Sequence, residues 1–203
     1  MKVLLIHGWG FDPAVWGPLR AALPDQDWEV LDLGYFGPAR MEPPPGLELV
    51  VGHSFGCLWA MGHPALAGLP LIAVNGFPRF TATKGYPHGT PARVLDRMLK
   101  RLREAPGEVL QAFHARCGTA VPPGAPVLER LHEDLLRMRD QDARALPGQP
   151  VLACAAADDP LVSPELSRQA FPGRLRLLAE GGHVLPLTRP GALARLIEAE
   201  LSR

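Results

Sequence analysis

Leu47-Glu48-Leu49-Val50-Val51 runs straight into Gly52-His53-Ser54-Phe55-Gly56, and Cys57-Leu58-Trp59-Ala60-Met61 follows. An apolar run, a G-x-S-x-G and a helix-like stretch read, in that order, as a strand, a sharp turn and a helix. The turn raises one serine hydroxyl clear of the sheet. The glycines have a steric reason: side chains at 52 and 56 would collide with neighbouring backbone, and glycine has no Cβ. Ser54 then stands at a helix N-terminus, where unpaired amides favour developing negative charge. These residues point to covalent catalysis by a serine.

Outward from this turn, short apolar runs alternate with helical patterns. Strands are predicted over residues 2–6, 29–33, 47–51, 71–75, 151–156 and 174–179. Most are continuously apolar, as in strands covered on both faces. Helices are predicted over 13–23, 55–67, 164–171 and 190–201. Such alternation implies an α/β fold with a parallel sheet and right-handed crossovers. It breaks between Gly76 and Gly148, where only helices are predicted, over 91–104, 106–117 and 126–144. Pro78 bounds that segment on one side and Pro147-Gly148-Gln149-Pro150 on the other. It reads as a helical cap over the carboxyl edge of the sheet, the edge where open α/β sheets bind ligands. Pro43-Pro44-Pro45 reads as a stiff loop.

The 203 residues suit one domain, and 47% apolar content marks a globular chain. Basic and acidic residues balance at 21 each, which argues against nucleic-acid or membrane-surface binding. The three cysteines, Cys57, Cys117 and Cys154, show no metal or disulfide spacing. Reduced, buried thiols in a cytoplasmic protein are expected. The first strand starts at once, which leaves no room for a signal peptide, and no apolar run approaches membrane-spanning length.

A serine hydroxyl needs a base. Among the seven histidines, His183 is best placed, in Glu180-Gly181-Gly182-His183 after the last strand. His53 lies inside the turn motif, and His63, His88, His114 and His132 fall on presumed helices or cap loops. The base needs an acid. Asp159 follows the fifth strand ahead of Pro160-Leu161-Val162, with Asp158 as its rival. Neighbours along an extended turn point apart, so one of the two faces the histidine, and Asp158 reads as a turn carboxylate. His7-Gly8-Trp9-Gly10 follows the first strand and offers backbone amides to an oxyanion. The amides of Trp9 and Phe55 are the two candidate donors.

These four pieces, in the order Ser54, Asp159, His183 with His7–Gly10 ahead, resemble the α/β-hydrolase superfamily across nearly the whole chain. Within it, His7-Gly8-Trp9-Gly10 with Val15-Trp16 is similar to the pimeloyl-[acyl-carrier protein] methyl ester esterases of biotin synthesis. So are Leu31-Asp32-Leu33-Gly34 leading to Gly37, Asn75-Gly76-Phe77-Pro78-Arg79-Phe80, and Gly85-Tyr86-Pro87. Ala112-Phe113 to Gly118-Thr119 is a fainter echo. The chain departs from that pattern in three ways. It lacks the antiparallel strands that usually precede the first motif, its cap is trimmed, and Phe55-Gly56-Cys57 replaces the more usual Leu-Gly-Gly.

The resemblance implies an α/β-hydrolase fold with a mostly parallel sheet of about six strands, helices on both faces and a small helical cap. Residues 1–203 form one domain, with 77–148 as the cap between core segments 1–76 and 149–203. It implies a serine ester hydrolase that needs no metal or organic cofactor. Its substrate is a small acyl ester, carried on acyl carrier protein in the pimeloyl case. Neither nucleic acid nor membrane is an expected partner. A carboxylesterase, thioesterase or lactonase on another acyl group would share the triad, and a binding protein could keep it idle.

On the first cap helix, Arg93, Arg97, Lys100 and Arg101 share one face, opposite Val94, Leu95, Met98, Leu99 and Leu102. Carrier proteins are acidic, so that face could dock one. Glu104 and Asp96 dilute it, and a merely solvated helix face carries the same pattern.

Overall fold

The computed structural model describes residues 1–146, 148 and 150–201. Pro147 and Gln149 of the expected cap boundary, and the last two residues of the expected core segment 149–203, lie outside the described residues.

Six strands form one wholly parallel sheet: β1 (Lys2–Ile6), β2 (Asp27–Leu31), β3 (Leu49–His53), β4 (Leu71–Val74), β5 (Leu152–Ala156) and β6 (Leu175–Leu178). Their spatial order is β2-β1-β3-β4-β5-β6. The elbow strand β3 thus lies in the interior, registered Leu4↔Val50 against β1 and Val51↔Ile72 against β4. This is the expected fold class, with the sheet entirely rather than mostly parallel.

The continuous apolar runs exist because both faces are covered. Leu4, Ile6, Val50, Ala73 and Ala153 point to one side. There they meet α2 (Phe55–Met61) and α6 (Pro164–Ala170), and the same apolar cluster continues into α3 (Ala92–Glu104), α4 (Pro106–Cys117) and α5 (Leu128–Asp140). Val3, Leu5, Val51, Ile72, Val74 and Cys154 point to the other side. That face packs on α1 (Gly17–Ala22), α7 (Leu185–Thr188) and α8 (Pro190–Leu201). Among the described residues no helix is long and apolar enough to cross a membrane.

Several boundaries differ from the sequence expectation for identifiable reasons. β2 stops at Leu31, two residues early, because the Leu33 amide leaves the ladder to donate to His7 Nε2 at 3.0 Å. β3 begins later than expected and runs on to His53, delivering the turn directly from the ladder. The expected helix over 13–23 is a 3-10 turn (Pro13–Trp16) followed by α1. The helix expected over 55–67 ends at Met61 ahead of Gly62, and Pro64 opens a separate 3-10 turn. α5 is shorter than the expected 126–144 at both ends. α7 was not expected at all; its four residues are too few to show a period. Pro43-Pro44-Pro45 lies outside regular structure, as expected.

Candidate active site

At the end of β3 the chain turns at Ser54, whose φ is 52° and ψ −123°. A non-glycine residue held there costs on the order of 1–3 kcal/mol and persists only when its surroundings enforce it. The enforcement is visible. A Cβ on Gly52 would lie 2.6 Å from Cys57 Cα, and one on Gly56 would lie 2.2 Å from the Ile6 carbonyl. Both clashes are with backbone, so only glycine permits the turn. The Ser54 amide donates to the Val74 carbonyl at 2.9 Å, which ties the turn to β4.

Ser54 Oγ lies 2.9 Å from His183 Nε2. His183 Nδ1 in turn lies 2.9 Å from Asp159 Oδ2 and 3.1 Å from Oδ1. All three are buried, with relative exposures of 6% for Ser54, 1% for His183 and 7% for Asp159. With the carboxylate as acceptor, Nδ1 carries the proton, and Nε2 is left to accept from the serine hydroxyl. Burial pushes the Asp159 carboxyl up, but the adjacent His183 ring and the amides of Val162 and Leu161 outweigh it and hold the group below its ordinary value. Those amides donate to Oδ1 at 3.0 and 2.8 Å. Asp158 points elsewhere: it is exposed and accepts from the Gly182 amide at 2.8 Å.

Several of the other histidines have partners of their own. His53 Nε2 donates to the His183 carbonyl at 2.9 Å. Burial, together with the His183 ring, lowers its pKa to about 3. His114 Nε2 lies 2.8 Å from the Gly10 carbonyl, which ties α4 to the His7–Gly10 loop. His63 stacks on Trp59. Among the described histidines, His183 alone hydrogen-bonds the Ser54 hydroxyl. Burial pushes the thiols of Cys57, Cys117 and Cys154 up to about 12, so none is a thiolate near neutral pH.

The Trp9 indole donates to the Leu131 carbonyl at 2.8 Å and meets Phe113 edge-on at 5.0 Å. Its ring therefore joins the first sheet loop to α4 and α5. Between these elements opens a cleft of about 870 Å³, with Ser54, His183 and Trp9 at its base. Its walls include Phe80, Val94, Met98, Val109, Phe113 and Leu161. Arg97, Arg101 and Arg116 also line it, and Arg101 pairs with Glu108. Arg93 and Lys100 are exposed outside the cleft. Val94 and Met98, assigned to the apolar face of α3, line the cleft, while Leu95, Leu99 and Leu102 are buried.

Sequence reasoning gave no site role to Asn75 or Arg116. Asn75 Nδ2 donates to Asp159 Oδ2 at 2.8 Å and to the Gly182 carbonyl at 3.1 Å. Its signal was an asparagine before a glycine at a strand's carboxyl end. Arg116 faces the cleft from α4 and donates to the Pro160 carbonyl. An isolated arginine late in a helix carries no such signal.

No protein-family model matches the chain. The pimeloyl-[acyl-carrier protein] methyl ester esterase of Stenotrophomonas maltophilia (strain K279a) is 32% identical over 222 aligned residues, spanning 89% of this chain and 85% of that protein. The esterase EaEST from Exiguobacterium antarcticum superposes with a TM-score of 0.81 at 17% identity, covering 100% of this chain and 92% of that one. BioG from Haemophilus influenzae superposes with a TM-score of 0.66 at 21% identity, covering 91% and 89%. The structural likenesses establish the α/β-hydrolase fold. The identity and coverage of the sequence relative establish more: the chain belongs to the family of pimeloyl-[acyl-carrier protein] methyl ester esterases.

Proposed function

We propose that the chain is a serine ester hydrolase working through an acyl-enzyme, and that its substrate is a pimeloyl methyl ester carried on acyl carrier protein. Ester hydrolysis follows from the family. The mechanism rests on one observation, the contact of Ser54 Oγ with His183 Nε2 at 2.9 Å, backed by Asp159.

Ser54 Oγ attacks the ester carbonyl while its proton passes to His183 Nε2. Asp159 orients the ring and stabilises the imidazolium. The carbonyl oxygen becomes an oxyanion and is received by the amides of Phe55 and Trp9, each worth about 3 kcal/mol in such sites. Phe55 opens α2, so its N–H precedes the helix ladder. The C–O bond breaks and the alcohol leaves with the proton from Nε2. Water then gives its proton to Nε2 and attacks the acyl carbon. The acid departs and Ser54 recovers its proton. No step calls for a metal or an organic cofactor.

In this reading α3, α4 and α5 are the cap. Its apolar wall at Met98, Val109 and Phe113 takes the acyl chain, and Arg97, Arg101 and Arg116 face the acidic carrier. The test is methanol release from pimeloyl-carrier methyl ester, compared with p-nitrophenyl esters and acyl thioesters. Wild type should favour the carrier-linked ester, and Ser54→Ala should lose nearly all turnover. Preference for the small esters would overturn the substrate, and a wild-type rate in Ser54→Ala would overturn the mechanism.

A further inference from the structure

Asn75 follows β4 with a φ of 47°, in the left-handed region that non-glycine residues seldom occupy, and it is fully buried. Its amide nitrogen donates to Asp159 Oδ2 at 2.8 Å and to the Gly182 carbonyl at 3.1 Å. Both partners are acceptors, so only the nitrogen side of the amide can face them. The Asp159 carboxylate is thereby bound on every side: Oδ1 takes the amides of Leu161 and Val162, while Oδ2 takes His183 and Asn75. It cannot rotate without losing one of these bonds. Gly182 is held twice as well, its carbonyl by Asn75 and its N–H by Asp158 at 2.8 Å. The strand end at Asn75 is itself fixed, since its amide donates to the Cys154 carbonyl at 2.8 Å.

We infer that Asn75 is a positioning residue, whose single amide nitrogen holds the Asp159 carboxylate and the loop bearing His183 in one fixed relation. The inference rests on Ser54, His183 and Asp159 acting as the triad. A neutral donor is required at this point. A carboxylate in its place would sit against two acceptors, Asp159 and the Gly182 carbonyl, and two carboxylates sharing a site keep one proton between them, which leaves no donor for Gly182.

The experiment compares wild type, Asn75→Ala and Asn75→Asp by kcat and KM, on folded protein verified by melting. A fluorophosphonate first titrates Ser54 in the wild type; absence of labelling there defeats the triad reading itself, independently of Asn75. Asn75→Ala should lower kcat about 10- to 100-fold with little change in KM. Asn75→Asp, nearly isosteric, can offer Asp159 at most the proton they share and offers the Gly182 carbonyl none, so it should also lower kcat about tenfold or more with little change in KM. A role confined to folding would lower the melting temperature and leave both readouts of the folded enzyme in place. Should Asn75→Ala not fold, Asn75→Asp decides alone: an unchanged kcat overturns the inference.

Discussion

The Tyr35 hydroxyl donates to Asp134 Oδ2 at 2.9 Å, joining the loop after β2 to the middle of α5. Asp134 is fully buried and also pairs with Arg130 at 3.2 Å and Arg137 at 3.3 Å. Burial raises the Asp134 carboxyl above its ordinary value despite both arginines. The helix that carries the Trp9 acceptor is therefore held by a buried polar network. Tyr35→Phe removes one donor to a buried carboxylate and should cost about 1–3 kcal/mol of stability. Urea unfolding measures this, and a loss below a few tenths of a kcal/mol would show the bond is not needed.

Ser54→Ala should reduce turnover by about 10⁴- to 10⁶-fold, the range seen when a triad nucleophile is removed. The fold should persist, because alanine fits wherever the serine side chain fits. Gly56→Ala is the opposite case: its Cβ meets the Ile6 carbonyl at 2.2 Å, so the variant should fail to fold stably. Circular dichroism and initial rates together separate the two outcomes.

Asp159→Asn and Asp158→Asn should differ widely. Asparagine at 159 presents the wrong hydrogen-bonding partner to His183 Nδ1 and should cost about 10⁴-fold in kcat. Asp158 touches the Gly182 amide but not the imidazole, so its change should cost less than about tenfold. Comparable losses in steady-state kinetics would contradict this division.

His53 should make the fold sensitive to acid. Its ordinary value is 6.5 and burial lowers it to about 3 in the folded protein. As pH falls through this window the unfolded chain takes up a proton and the folded chain does not, so stability is lost. The slope should reach about 1.4 kcal/mol per pH unit. Gln at 53 can still donate to the His183 carbonyl but does not titrate. His53→Gln should therefore lose less stability than wild type between pH 7.5 and pH 4.5, measured by urea midpoints. Equal losses would place the acid sensitivity elsewhere.

Arg97→Glu combined with Arg101→Glu should raise KM for a carrier-linked ester about tenfold or more, since both line the cleft. A small p-nitrophenyl ester should be unaffected. Arg93→Glu, outside the cleft, serves as the comparison. Equal effects on both substrates would remove the carrier from the explanation.

The elbow and the sheet were legible because their causes are local. Two glycines around a serine, after an apolar run, admit one backbone path, and alternating apolar segments admit few α/β topologies. Strand ends were less legible: β2 stops where the Leu33 amide turns to His7, a partner 26 residues away. The His183 loop was legible as a strand-end glycine cluster. The buried Asp134 on α5 was not, because its Tyr35 and arginine partners come from folding.

By itself the sequence determined the turn at Ser54, the largely apolar strands around it and the order of the candidate triad. These follow from steric limits and from the pairing of backbone groups within short stretches. Only the tertiary structure brought Asp159, which the sequence favoured over Asp158, against His183, set Asn75 between Asp159 and the Gly182 carbonyl, and placed Arg97 and Arg101 along the cleft while leaving Arg93 and Lys100 outside it. Ser54 and His183 lie 129 residues apart, and Asn75 and Asp159 lie 84 apart. Contacts at that range depend on where the strands end and how the helices cross them, which no local pattern encodes.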